Sequence, residues 1–433
     1  MNDGKIIVGI DVGTYKIVTV IAKVVDTVVN ILGVAEVKSA GIRKGQVVDI
    51  EEAVQAINTS LEAAERMAGY SASRVFVSLG GSQIESQNSR GVVAVAAPQG
   101  EITVEDLSRV IDAAKAISIP STREIIHVLP RNYIVDGQEG IKDPVGMSGI
   151  RLEVDTHIIT AMSVSVRNLE KAFSQVGVDV ESFAFSGYTS SLAVLSDTER
   201  ELGVVLVDIG AGTTDISIYT EGSVAYSSVL AIGARHVTND LAIGLRISLE
   251  SAEKIKLFLS QHQTKRLLKT EDEEDIEGGK EQRPTDEVDL THLNLSEELR
   301  KVSQKTLIDG IIRPRLNEIC TMIGLEIKKS GFGGQTPAGI VLTGGGALTA
   351  GMRDAARRTL AMPVRIGTPS NLKGIIDEVQ HPAFSTVTGL IHYGARNTTE
   401  RTRSFRFALP RGAAGGASGV AKKIVNLIKS FIP

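Results

Sequence analysis

The chain has 433 residues, 42% of them hydrophobic, which is enough for more than one buried core, and a formal net charge of −4. That charge, the absence of Trp and an aromatic content of only 4% exclude a general nucleic-acid binder. The single Cys320 excludes an intrachain disulfide, the seven histidines show no zinc-ligand spacing, and no apolar run reaches the ~18–20 residues of a spanning helix.

In chain order, the first element is an apolar strand, Ile6-Ile7-Val8-Gly9-Ile10, that enters Asp11-Val12-Gly13-Thr14-Tyr15-Lys16 and leaves as a second strand. The strand begins almost at once and no signal-peptide pattern precedes it, so a cytoplasmic protein is expected. A strand over 28–37 follows, then an amphipathic helix over 50–68 with Ala53, Ile57, Leu61, Ala64 and Met67 on one face, and a strand over 75–79. Residues 82–164 read as an inserted α+β unit, with strands over 91–96, 125–133 and 154–165 and a helix over 103–117. Thr103 and Asp106 have the spacing of a capping box at the start of that helix. Then come a helix over 167–176, a strand over 178–185 and a helix from Ser186. Between 182 and 189 there is no acid or amide that could orient a water.

A second hairpin repeats the plan of the first: a buried β-branched run, Gly203-Val204-Val205-Leu206-Val207, then Asp208-Ile209-Gly210-Ala211-Gly212-Thr213-Thr214-Asp215. Glycines at such a tip let backbone N–H groups approach phosphate, hydroxyls add donors, and an entry carboxylate (Asp11, Asp208) can hold magnesium or position water. Gly233 begins a turn into a helix that carries Asn239, and Glu253 and Lys256 share a helix face at i,i+3. Residues 263–289 are dominated by like-charge blocks and read as a solvated loop, most acidic over 270–289. Helices are expected over 299–329, with Pro314 opening the second. A third apolar strand ends in Gly344-Gly345-Gly346-Ala347, a glycine turn before a helix. A tight turn explains any one of these three loops as well as a phosphate site does; the ordered set of three points to one nucleotide held between two duplicated halves.

This set resembles the nucleotide-binding signature of the actin, Hsp70 and sugar-kinase superfamily, and it lacks the Walker pattern. The resemblance implies an α/β fold of two lobes, each a ribonuclease-H-like domain, with ATP and Mg2+ as ligands. Its nucleotide contacts would be Gly13, Thr14, Tyr15, Lys16, Gly210, Ala211, Gly212, Thr213, Thr214, Gly233, Asn239, Glu253, Lys256, Gly344, Gly345, Gly346 and Ala347, with Asp11 and Asp208 for Mg2+.

The insertion, with Ile150-Arg151-Leu152-Glu153-Val154 leading into its last strand, and the motif around Pro314-Arg315 and Glu318-Ile319 resemble the FtsA family of bacterial cell-division proteins. That likeness implies subdomain 1A over 1–82 and 165–199, 1C over 83–164, 2A over 200–238 and 312–383, 2B over 239–311 and a return helix over 384–397. It also implies self-association into actin-like filaments and contacts to downstream division proteins through 1C. The C-terminal tail of FtsZ would meet 2B, where Arg300, Lys301 and Arg315 are the candidate residues. With no acid or amide at the strand-to-helix junction, the expected role is a nucleotide-binding scaffold, at most a slow ATPase.

Residues 398–419 are rich in Arg, Gly and Ala and read as a flexible linker. Residues 420–433 follow as a cationic amphipathic helix. At about 100° per residue its apolar side chains, among them Val420, Ile424, Leu427, Ile428, Phe431 and Ile432, share an arc of roughly 160°, opposite Lys422, Lys423 and Lys429. Such a helix suits the surface of an anionic membrane, and the FtsA family ends in one. The expected place of action is therefore the cytoplasmic face of the membrane at the division site. A PilM-like assembly protein without the anchor, or a phosphotransferase or Hsp70-like ATPase, are the alternatives.

Overall fold

A computed structural model of the chain describes residues 4–25, 28–96, 100–269, 286–375 and 378–407. Met1–Tyr393 and Gly394–Pro433 are separate units. The first unit opens with an antiparallel meander of β1 (Lys5–Val12), β2 (Lys16–Val25) and β3 (Val28–Lys38). A small hairpin of β4 (Ile42–Arg43) and β5 (Gln46–Val47) leads to α1 (Ile50–Ala68) and β6 (Arg74–Leu79). Asp49 starts α1 by accepting the Glu52 N–H, and Ala53, Ile57, Leu61 and Ala64 are buried on it. Met67 shares their spacing but stays half exposed.

The insertion contains β7 (Glu85–Ala94), α2 (Val104–Lys115), β8 (Arg123–Val135), β9 (Gln138–Ile141) and β10 (Arg151–Met162), in a sheet ordered β7-β10-β8-β9. Its own core includes Ile102, Val110, Leu152 and Val154. The capping box forms as expected: Thr103 accepts from the Asp106 N–H while Asp106 accepts from that of Thr103. The chain then returns through α3 (Ser163–Val176) and β11 (Asp179–Phe185), crosses in α4 (Ser186–Val194), and passes α5 (Asp197–Leu202).

The second lobe repeats the first. Strands β12 (Val204–Ile209), β13 (Thr214–Thr220) and β14 (Ser223–Leu230) form the meander, followed by α6 (Arg235–Leu245) and α7 (Leu249–Lys269). After β15 (Glu287–Asp289), β16 (Lys301–Ser303) and α8 (Arg313–Ser330) come β17 (Ile340–Thr343), α9 (Met352–Leu360), β18 (Val364–Ile366), β19 (Leu372–Gly374) and α10 (Ser385–Phe407). The two large sheets run β11-β6-β1-β2-β3-β19 and β14-β13-β12-β17-β18. In each, β1 or β12 lies between an antiparallel hairpin partner and a parallel strand. That placement buries every residue of β12, which is why its sequence is continuously apolar up to Asp208. Separate hydrophobic cores fill the two lobes.

Four expectations are corrected. Residues 301–303, expected to be helical, form β16, the partner of β15. Helix α7 continues to Lys269, into the span read as loop from 263. Residues 287–289, assigned to the acidic loop, form β15 instead, where Val288 pairs with Val302 and Lys301 with Glu287 at 3.2 Å; most of that loop, 270–285, lies outside the described residues. Helix α10 runs to Phe407, ten residues into the expected linker, because no Gly or Pro stands between Gly394 and Pro410. The remainder of the linker and the terminal amphipathic helix, including Val420, Lys422, Lys423, Ile424, Leu427, Ile428, Lys429, Phe431 and Ile432, lie outside the described residues.

A candidate nucleotide cleft between the two lobes

Both hairpin tips and the third glycine turn open on one cleft of about 430 Å³. The first tip closes by a hydrogen bond from Gly13 N–H to the Lys16 carbonyl at 3.1 Å, the second by one from Gly210 N–H to that of Thr213 at 2.9 Å. The carbonyls of Gly210 and Ala211 accept the N–H groups of Ala234 and Arg235, both at 2.9 Å, so the start of α6 buttresses the second tip. Gly344 holds the third turn at φ 81°, with Asp208 Oδ1 packed where a Cβ would stand.

Asp11, Gly13, Thr14, Tyr15, Lys16, Asp208, Gly210, Ala211, Thr213, Glu253, Lys256, Gly344, Gly345 and Gly346 all line the cleft. Gly212, Thr214, Gly233, Asn239 and Ala347 do not. Gly212 meets the Thr14 side chain of the other lobe, Gly233 packs on the Gly210 carbonyl, and the Thr214 hydroxyl donates to the Ile232 carbonyl. Gly233 and Thr214 thus support the second loop, while Gly212 faces the opposite lobe. Lys16 pairs with Glu36 at 2.6 Å and lies 3.8 Å over the Phe384 ring. Glu253 and Lys256 pair at 2.7 Å, and the Thr238 hydroxyl bridges them, donating to Glu253 at 2.5 Å and accepting from Lys256 at 3.0 Å.

The cleft floor carries three carboxyls, Asp208 and Asp215 buried and Asp11 partly so. Burial raises Asp11, against the opposing pull of the Ser78 hydroxyl, which donates to it at 2.6 Å, and of Lys16. Asp208 is pushed up to about 6 by burial, opposed by the Ser190 hydroxyl and reinforced by Asp11. Asp215 stands well above the carboxylate range, through burial and then the charges of Asp208 and Asp11. Its Oδ1 has no hydrogen-bond partner among the described residues. Sequence reasoning gave Asp215 no role, although an acid entering a strand buried throughout was a usable signal. Ser186, Thr386 and His381 also line the cleft without having been anticipated.

This is a site short of positive charge, faced by glycine turns. Among the described residues, no group of three His, Cys, Asp or Glu can hold a metal by itself. A hard cation here would have to take most of its ligands from phosphate and water, which is how Mg2+ is usually bound in nucleotide sites. The orphaned Asp215 oxygen and the raised carboxyls fit such an ion.

The description "SHS2 domain inserted in FTSA" matches residues 81–160, and "Cell division protein FtsA" matches 205–389. The cell-division protein FtsA of Pseudomonas aeruginosa is 37% identical over 401 residues, 92% of each chain, and that of Borreliella burgdorferi 41% over 390 residues, 90% of each. The chain belongs to the FtsA family. It is accordingly an actin-like cell-division protein, a nucleotide-binding scaffold and at most a slow ATPase. ATP and Mg2+ binding, FtsZ binding, self-association and membrane association are typical of FtsA proteins.

Solved structures agree on the fold. A PilM–PilN type IV pilus biogenesis complex matches with a TM-score of 0.62 at 15% identity over 90% of this chain and 98% of that one. MreB 5 of Spiroplasma citri bound to AMPPNP matches at 0.52 and 12% identity, over 92% and 99%. The PilM likeness is one of fold alone, and nothing favours that alternative over FtsA.

For the FtsZ tail, Arg300 is exposed and Lys301 is exposed in its pair with Glu287. Arg315 is engaged elsewhere, in a bidentate pair with Asp240 at 2.6 and 2.9 Å. Among the described residues no helix is long and apolar enough to cross a membrane.

Proposed function

We propose that the cleft binds Mg2+·ATP as a structural ligand that holds the two lobes together, and that the chain ties FtsZ filaments to the cytoplasmic face of the membrane at the division site. The observation that supports the nucleotide reading is the convergence of three glycine turns on a cleft floored by Asp11, Asp208 and Asp215. Glycine-turn N–H groups and the hydroxyls of Thr14 and Thr213 would receive phosphate, Lys16 its charge, and Glu253 with Lys256 the ribose edge. Asp208 and Asp11 would hold Mg2+ directly or through water; when bound, the ion neutralises their charge and that of the phosphates. Asp215, lining the cleft beside Ser186, is the group best suited to orient a water. A carboxyl kept from ionising by burial is a poor base, which supports slow turnover.

The rest of the reading follows the family. Protomers assemble head to tail, subdomain 1C over 83–164 meets neighbours and downstream division proteins, and the tail of FtsZ docks on 2B near Arg300 and Lys301. The cationic helix over 420–433 binds anionic lipid weakly in one copy and firmly in a filament. Calorimetric titration with Mg2+·ATP, run beside a phosphate-release assay, tests the nucleotide site. One-site binding with turnover far below the ~10 s⁻¹ of a median enzyme is expected. No heat of binding at any nucleotide concentration, or brisk turnover, contradicts it.

A further inference from the structure

Asp208 does more than face the cleft. Its Oδ2 accepts hydrogen bonds from two hydroxyls, Ser190 Oγ on α4 and Thr386 Oγ1 on α10, the latter at 3.0 Å. The two hydroxyl oxygens are 2.9 Å apart, and both residues are buried. Helices α4 and α10 are the two segments that connect the lobes. The first carries the chain from β11 to the second lobe, and the second brings it back to pack Leu390 and Ile391 on Gly9 of β1. Their backbones touch at Thr189 and Gly389, next to Ser190 in one helix and one turn past Thr386 in the other. One carboxylate oxygen is thus held by both connecting helices beside the point where they cross, while Oδ1 of the same group faces the third glycine turn.

We propose that Ser190 and Thr386 form a hydroxyl clasp on Asp208 that positions this carboxylate for a divalent cation and couples cation loading to the packing of the two connecting helices. The proposal rests on the Mg2+·nucleotide reading of the cleft. Two hydroxyl protons serve three short oxygen separations. Either both hydroxyls donate to Asp208, each helix then held to β12 separately, or one hydroxyl donates to the other and that one to Asp208, so that the helices are held to one another. A cation drawing on the Asp208 charge weakens the carboxylate as an acceptor and favours the second pattern. The helices then hold each other more firmly when the cleft is loaded. Ser190 and Thr386 are positioning residues, acting through Asp208.

The test uses the full chain and three variants, Thr386→Val, Thr386→Ser and Ser190→Ala, each shown by thermal melting to be folded. ATP affinity is measured with Mg2+ and with excess EDTA, and amide hydrogen exchange in α4 is followed with and without Mg2+·ATP. Thr386→Val should lose roughly tenfold in Mg2+·ATP affinity, as befits one hydrogen bond to a charged group, while affinity in EDTA stays within about twofold. Its ligand-induced protection of α4 should disappear. Thr386→Ser should restore both readouts, and Ser190→Ala should behave like Thr386→Val. If the wild type binds Mg2+·ATP and folded Thr386→Val keeps the same Mg2+ dependence and the same protection, the clasp is wrong and the nucleotide reading stands. If the wild type shows no Mg2+-dependent binding, both are overturned.

Discussion

Gly389 of α10 lies against the carbonyl of Thr189 in α4, so the helices joining the two lobes cross backbone on backbone. Nothing larger than glycine fits at that crossing. Gly389→Ala would drive a methyl group into the Thr189 carbonyl and force the helices apart, at a cost of about 1–3 kcal/mol. Urea denaturation should show the loss as a lower midpoint with an unchanged slope. The stabilisation conferred by Mg2+·ATP should also shrink, because the lobes no longer meet in the same register.

Asp208 and Asp215 face one another across the second hairpin, as register partners of β12 and β13. Two buried carboxyls so placed resist ionising together, and a cation relieves that. Asp215→Asn should therefore raise the thermal midpoint of the nucleotide-free protein at neutral pH. It should also reduce the further rise on adding Mg2+·ATP, and lower any turnover by at least about tenfold. Thermal melts with and without Mg2+·ATP, beside a phosphate-release assay, read all three.

Acid should act through two buried histidines. Burial pushes His127 down to about 4, and burial with the Arg131 and His127 charges pushes His157 down to about 3. Both are neutral in the fold, so below their ordinary value of 6.5 the unfolded chain takes up protons that the folded chain does not. Stability is then lost as pH falls from 6.5 towards 4 and 3, on the order of 3–5 kcal/mol for each at full extent. Asp208, Asp215 and Asp11 work the other way: burial raises all three in the fold, Asp208 to about 6 and Asp215 well above the carboxylate range, so each favours the fold as pH falls towards 3.8. In denaturation series between pH 7.5 and 4.5, His157→Gln should remove that histidine's share of the acid loss, so the variant's stability rises relative to the wild type as pH falls.

Arg315 is expected to be structural. Its bidentate pair with Asp240 joins α8 to α6, and both side chains are about three-quarters buried. Arg315→Ala and Asp240→Ala should each destabilise by roughly 1 kcal/mol, with a double variant no worse than either, as a double-mutant cycle would show. Arg300→Glu and Lys301→Glu should instead weaken capture of an FtsZ tail peptide and leave thermal stability nearly unchanged.

The glycine turns were legible in the sequence because tight turns beside phosphate admit few other residues, and because the two hairpins repeat. The duplicated lobes followed from that repeat, and the insertion from its own helix and strands. Asp215 was not legible as a floor residue, since its role depends on pairing with Asp208 and on the other lobe closing over it. Arg315 read as a candidate for the FtsZ tail because its partner, Asp240, lies 75 residues away in sequence. Gly233 and Thr214 were read as ligand contacts, and neither lines the cleft; spacing alone does not say which side of a loop faces it. β15 was hidden within a charged stretch whose pairing strand comes after it.

The most direct measurement is co-sedimentation with anionic vesicles in the presence of Mg2+·ATP. The full chain would be compared with one ending at Gly416, and FtsZ filaments would be included in each. The full chain should pellet with the vesicles and carry FtsZ down, while the shortened chain leaves both in the supernatant. Equal behaviour of the two chains, in the pellet or in the supernatant, would contradict the tether.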